Sequence, residues 1–305
     1  MSKSLLRKLR NALIVLFGVS LIVFMLMYLS GDPIALLLPM DTAPEVAEAM
    51  RESLGFNDPL YIQYFRFLSG AVRGDFGNSL HHNQPAMGLI IERMPATIEL
   101  TLASVLIALA IAVPLGLVTA VFSNTIIDYI GSILALIGQS MPVFWLGLML
   151  LYVVGVKYRL LPITGRGTWQ HLLLPAFTVG AYTAATIARM LRSRMIEIMQ
   201  QDYIKTARAK GVRHKWIVLK HALRNAVLPV ITILALQLGT LLGGAVITET
   251  IFAWPGVGRF MLQAIQNRDI AIVQAGVFIL AVSIVFINIF TDVIYTVLDP
   301  RIRYE

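Results

Sequence analysis

Residues 202–229 read DYIKTARAKGVRHKWIVLKHALRNAVLP. They lie in the densest basic segment of the chain: between Arg189 and Arg224 there are ten Lys or Arg and only two acids, Glu197 and Asp202. Long apolar runs flank the segment on both sides. Inside it, Tyr203–Gly211 combines helix formers with small residues at 206, 207 and 209 and a glycine stop, the pattern of a short helix ended by Gly211. Small residues let another surface approach closely. A basic loop between two apolar runs is first a matter of topology, but charge alone does not account for the loop's length or its small-residue helix.

Composition sets the class. The chain has 305 residues, of which 57% are hydrophobic and 14% charged, with a mean hydropathy of +0.76. A soluble domain carries roughly a quarter charged residues. So apolar a chain cannot cover itself with polar surface, and the expected class is an all-α integral membrane protein. The formal net charge of +8 is read as topology before nucleic-acid binding, and no nucleic-acid partner is expected. There is no cysteine, which excludes disulfides, thiolate chemistry and Cys-ligated metals.

A membrane-spanning helix needs about 20 largely apolar residues. Six stretches qualify: Asn11–Leu29, Ala96–Phe122, Ile130–Val156, Leu172–Ala188, Ala226–Ile247 and Ala271–Thr291. The fourth is the shortest and most polar, carrying Thr178, Tyr182, Thr183 and Thr186, and suits the interior of a bundle. The first follows Lys3, Arg7, Lys8 and Arg10 and is too long for the apolar core of a leader, so it is expected to remain as a helix with a cytoplasmic N-terminus. Alternation from there puts 16 Lys or Arg on the cytoplasmic side and 9 outside, and the first external segment, 30–95, holds eight acids against four arginines. The distribution follows the positive-inside rule. The expected organisation is therefore 1–30, cytoplasmic N-terminus and first span; 31–95, an external helical segment; 96–298, spans two to six with a cytoplasmic loop at 189–225; and 299–305, a cytoplasmic C-terminus. Lipid surrounds the whole.

Residues 41–55, DTAPEVAEAMRESLG, place Thr42 and Glu45 in capping-box positions and close with Gly55. PLYIQYFRFLSGAV gives a second, aromatic-rich helical run, and GDFGNS a turn. This segment reads either as a cap on the outer membrane face or as a docking surface for an external partner.

Enzyme chemistry has little to stand on. The five histidines form no H-E-x-x-H pattern, and the adjacent His81 and His82 read as a solvated loop pair, so no metal site is expected. Neither a phosphate-binding G-x-x-x-x-G-K-[ST] loop nor a G-x-S-x-G elbow occurs. Glu99 and Asp292 sit at span ends, where anchoring is the plain reading. Prolines 114, 142, 175 and 229 interrupt apolar runs, and each frees a backbone carbonyl that must find another partner. In GQSMPVFWLG, 138–147, a broken helix would leave Gln139, Ser140, Met141 and Pro142 at the break, and Gln237 lies in the fifth run. These are candidates to line a polar path, or ordinary interhelical hydrogen-bonding residues.

The basic loop resembles the cytoplasmic coupling loop of ABC importer permeases, whose pattern is an E-A-A-like triplet, a glycine and a later Leu-Pro pair. Here the triplet positions are Lys205, Thr206 and Ala207, the glycine is Gly211, and Leu228–Pro229 closes the segment. Lys205 departs from Glu, and the spacing from Gly211 to Leu228–Pro229 is long. Both departures are similar to the permeases of dipeptide, oligopeptide and nickel importers. GDP at 31–33, DPLYIQY at 58–64, GDFGNS at 74–79, TARAKG at 206–211, HALRNAVLP at 221–229, FAWPGVGR at 252–259 and LDPRIR at 298–303 resemble that branch in order, over nearly the whole chain.

The resemblance implies the type I importer permease fold in a bacterial or archaeal cytoplasmic membrane. It implies a coupling helix of Tyr203, Thr206, Ala207, Arg208, Ala209, Lys210 and Gly211, set against a separate ATPase. The partners would be a second related permease, two cytoplasmic ATPase subunits holding ATP and Mg, and an external binding protein. This chain would hold no cofactor and no catalytic site of its own. Phe252, Trp254, Pro255, Gly256 and Gly258 would form a rigid external re-entrant turn near the substrate entrance, where the alternative is a plain loop. The implied function is ATP-driven import of di- or oligopeptides, with nickel or chelated metal as the alternative cargo. A membrane enzyme, or a structural or receptor-like membrane protein, is the remote rival.

Overall fold

The computed structural model describes residues 2–29, 43–53 and 55–298. Thr42, the GDP motif at 31–33, the LDPRIR motif beyond Leu298 and the segment 299–305 lie outside the described residues, as does the side chain of Asp292. The described residues are almost entirely helical and contain no strand. They form α1 (Ser2–Leu29), α2 (Pro44–Ser53), α3 (Leu60–Val72), α4 (Ala86–Val121), α5 (Ile126–Ser140), α6 (Val143–Leu150), α7 (Trp169–Met199), α8 (Asp202–Ala209), α9 (Leu223–Ile251), α10 (Val257–Gln266) and α11 (Ile270–Leu298). Two π-helical stretches extend these: Leu151–Lys157 follows α6, and Ile217–Ala222 precedes α9 after a helical turn at His214–Trp216.

Among the described residues, four helical stretches are long and apolar enough to cross a membrane: Ala86–Val121, Trp169–Met199, His214–Gly239 and Ile270–Thr291. The stretches Ile126–Ser140 and Val143–Lys157 meet at a bend of 104° and make a fifth if counted as one span. The first expected span falls on α1, whose apolar part, Arg10–Met25, is shorter. Of the four prolines that interrupt apolar runs, only Pro142 coincides with a break. Met141 before it is extended, with ψ 128°, as the ring of a following proline demands. Pro114, Pro175 and Pro229 are carried inside continuous helices.

The chain divides into two compact units, Met1–Pro95 with Gly256–Phe286, and Ala96–Pro255 with Ile287–Glu305. In the first, Ala71, Phe76, Ala86, Leu89, Ile90, Val257, Phe260, Ala264, Ile272 and Ala275 form the core. A run of touching rings, Phe17, Tyr64, Phe24, Phe67, Phe76 and Phe278, joins α1, α3 and α11 with centroids 5.3–6.0 Å apart. The Tyr64 hydroxyl shares a 2.8 Å hydrogen bond with Ser20 Oγ. Gly55 closes α2 at φ +70°, with Phe56 N–H donating to Arg51 O and Gly55 N–H to Glu52 O.

In the second unit α7 is the interior helix. Of its most apolar window 61% is buried, against 22–33% in the other three long spans, which explains why its threonines are tolerated. Thr178 Oγ1 donates to Leu174 O within the helix. Ala108 and Ala112 of α4 share one core with Ala184, Ala188 and Leu191 of α7. The approach is close: a Cβ on Gly180 would lie 2.6 Å from the Ser104 carbonyl oxygen. Without a hydrophobic drive between helices in lipid, such small-residue contacts supply the packing.

Candidate functional site

The residues expected as the coupling helix form α8. Its C-terminal turn follows from Gly211: at φ +77° the glycine lets Val212 N–H donate to Ala207 O and Gly211 N–H to Arg208 O, a Schellman closure. Only Ile204 is buried, at 0% exposure, and the helix packs against the π-helical stretch Ile217–Ala222. Tyr203, Thr206, Arg208, Ala209, Lys210 and Gly211 are exposed and Ala207 is half-buried. A second tie comes from Asn225, whose Nδ2 donates to the Tyr203 hydroxyl at 2.9 Å. A Cβ at Gly211 would meet nothing within 4 Å. The helix thus presents a small-residue face with one apolar root.

Near α8 in sequence, an ion pair ties α5 to α7. Arg192 Nε and Nη2 donate to the two oxygens of Asp128, each at 2.6 Å, and Asn124 N–H donates to Oδ2 at 2.9 Å. Asp128 is 3% exposed. The bidentate fork is the strong form of this pairing.

Gln139 stands one residue before Ser140 at the end of α5, and Ser140, Met141 and Pro142 make the bend. Gln139 lines a cleft of roughly 470 Å³ with Thr186, Arg189, Met190, Ser193, Arg194, Glu197 and Ile233, and Arg189 Nη1 donates to Gln139 Oε1. Ser140, Met141, Pro142 and Gln237 do not line this cleft; Gln237 is half-buried on α9.

At the far end of α9 the chain turns sharply. Phe252 and Trp254 are buried, at 1% and 0% exposure, and Ala253 between them holds φ +50°. Trp254 Nε1 donates to Ala96 O at 2.8 Å, Trp254 N–H to Glu249 O at 2.8 Å, and Gly165 N–H to Phe252 O at 2.9 Å. After Pro255, Gly256 precedes the first turn of α10, where its carbonyl accepts from Phe260 N–H, and Gly258 is buried in α10. Glu249 is fully buried, and Thr97 Oγ1 donates to its Oε1 at 2.8 Å. The sequence reading missed this carboxylate because VITET lies at the boundary of the fifth run and its partner is 152 residues away. Glu99 pairs with Arg166 at 2.7 Å, both part-exposed. In the other unit, Ser79 Oγ donates to the buried Asp269 Oδ2 at 2.5 Å, with His81 Nδ1 3.7 Å from the same oxygen. Among the described residues no group of three or more His, Asp or Glu is placed to hold a metal ion.

Two family models cover the chain: the binding-protein-dependent transport system inner membrane component matches residues 112–304, and the N-terminal membrane component of the same systems matches 1–101. The chain belongs to this permease family. It is 38% identical over 301 residues to the glutathione transport system permease protein GsiC of Escherichia coli strain K12, covering 98% of each chain. It is also 38% identical over 328 residues to the dipeptide transport system permease protein DppB of Alkalihalophilus pseudofirmus, again covering 98% of each. Among solved structures, the inward-facing MetNI methionine ABC transporter aligns with a TM-score of 0.56 at 23% identity over 70% of this chain and 97% of that one. An amino acid ABC transporter aligns at 0.52 and 16% over 70% and 94%. The permease is thus an all-α, multi-pass inner-membrane subunit of an ABC importer.

Proposed function

We propose that this permease carries peptides across the cytoplasmic membrane, energised by ATP hydrolysis on separate subunits that dock on α8. The carrying observation is the build of α8: one buried root, Ile204, beneath an exposed face of Tyr203, Thr206, Ala207, Arg208, Ala209, Lys210 and Gly211. A helix held this lightly by its own chain is suited to packing against another protein. The peptide cargo is supported by the names of the two relatives, one a glutathione and one a dipeptide permease. A related permease, two ATPases holding ATP and Mg, and an external binding protein complete the proposed assembly. The N- and C-termini and the 189–225 loop face the cytoplasm, residues 31–95 and the 252–258 turn face outward, and Gln139, Ser140, Met141, Pro142 and Gln237 lie along the path. This chain contributes no ATPase site.

The experiment compares Gly211→Ala with Gly211→Arg in the purified importer, measuring ATP hydrolysis and peptide uptake in proteoliposomes. Both variants meet the same backbone strain at φ +77°, and a Cβ there meets nothing within 4 Å. They differ in the length and charge they present to a partner surface. The expected result is near-normal coupling in the alanine variant and loss of coupled uptake in the arginine variant. Equal uptake in both would overturn the docking assignment.

A further inference from the structure

Three arginines project from α7 within two turns, and their partners differ. Arg192 is neutralised by Asp128 and Arg194 by Glu197 at 2.9 Å. Arg189 has no carboxylate partner among the described residues; it donates to the neutral Oε1 of Gln139. A guanidinium carries five N–H donors in a rigid fork, so most of its capacity remains after that single bond. With Oε1 committed to Arg189, Gln139 keeps its amide N–H groups as donors. The Thr186 hydroxyl donates to Tyr182 O of its own helix at 3.0 Å, and Ser193 also lines the cleft. Met190 and Ile233 supply an apolar wall.

We infer that the Arg189–Gln139 pair, which lines this roughly 470 Å³ cleft, binds the free carboxylate of the transported solute. The volume falls within the range of small-molecule sites. A single uncompensated positive charge matches a monoanionic group, and the planar fork matches a carboxylate bidentately. The two neighbouring guanidiniums, already neutralised, add no demand for a second negative charge. The sulfur-free, neutral tether on Gln139 holds the fork in place without quenching it, as a carboxylate at position 139 would. The inference rests on the peptide-import reading only for the identity of the solute.

The test uses the full importer, with its partner subunits, in phosphatidylcholine nanodiscs. Phenylglyoxal modification of Arg189 is followed by peptide mass mapping, with dialanine, dialanine amide or added phosphatidylglycerol as competitors. Dialanine should slow modification several-fold and dialanine amide should not. Dialanine uptake in proteoliposomes should fall about tenfold or more in Arg189→Gln, the scale of a lost charge-assisted hydrogen bond, and less in Arg189→Lys, which keeps the charge and loses the fork. Equal protection by dialanine and its amide, or none by either, overturns the site. Protection by phosphatidylglycerol without protection by dialanine assigns the charge to a lipid phosphate and overturns it as well. If dialanine protects Arg189 but the wild type imports no dialanine, the peptide-import reading falls and the carboxylate site stands. If uptake is normal and indifferent to Arg189→Gln, the converse holds.

Discussion

The turn at 252–254 and the helix α8 are both short, both follow a long helix and both come from motifs with a glycine, yet they are built in opposite ways. The turn buries Phe252 and Trp254 and spends its backbone and indole N–H groups on Ala96 and Glu249. The helix buries Ile204 alone and closes on itself through Gly211. One is fixed by its own chain; the other leaves its contact surface unspent. The difference teaches where rigidity is internal and where it has to be supplied by something else.

The largest effect should come from cutting the internally fixed region. Trp254→Ala removes a fully buried ring and the bond to Ala96, and is expected to lower stability by about 3–5 kcal/mol, read as a drop in the thermal midpoint of the purified importer. A small shift would mean the turn is not the anchor its burial implies. Next comes Ile204→Ala, which removes the root of α8 at about 2–4 kcal/mol. Here the loss should be local: faster hydrogen exchange over 202–210 with little change in the global midpoint. A global loss of the size seen for Trp254 would erase the contrast between the two regions.

A third variant asks whether α5 and α7 are held by charge as the turn is held by burial. Asp128→Asn leaves Arg192 without its carboxylate and is expected to cost about 2 kcal/mol in the same thermal assay. Because Arg192 is part-exposed, water offsets some of the loss, and a cost above that of Trp254→Ala would refute the ranking. The smallest effect belongs to Gly211→Ala, about 1 kcal/mol from the left-handed backbone alone. It should appear as fraying of α8 by hydrogen exchange, without a shift in the midpoint.

Local signals were legible in the sequence. Gly211 and Gly55 close helices because left-handed backbone is a property of a single residue, and Pro142 breaks one because it constrains Met141 directly. The threonine-rich fourth run was legible as an interior helix by its composition. Signals that depend on distant partners were not. Asp128, in the first turn of α5, carries no local signal and finds its partner only when α7 brings Arg192 across 64 positions. Glu249 needed Thr97, and Gln139 needed Arg189. Pro114, Pro175 and Pro229 read like Pro142 in sequence, yet their helices run through them unbroken.

The distribution of the four tryptophans gives the molecule an optical gauge. Trp254 is sealed from solvent, Trp145, Trp169 and Trp216 are 43–70% exposed, and Trp216 sits just before the π-helical stretch that supports α8. Indole emission shifts to longer wavelength in water. A chain with tryptophan kept only at 254 and 216 would emit from one dry ring and one wet ring. Docking of a partner on α8 would move the wet component to shorter wavelength while the dry one stayed fixed as an internal reference, so assembly could be followed without any attached dye.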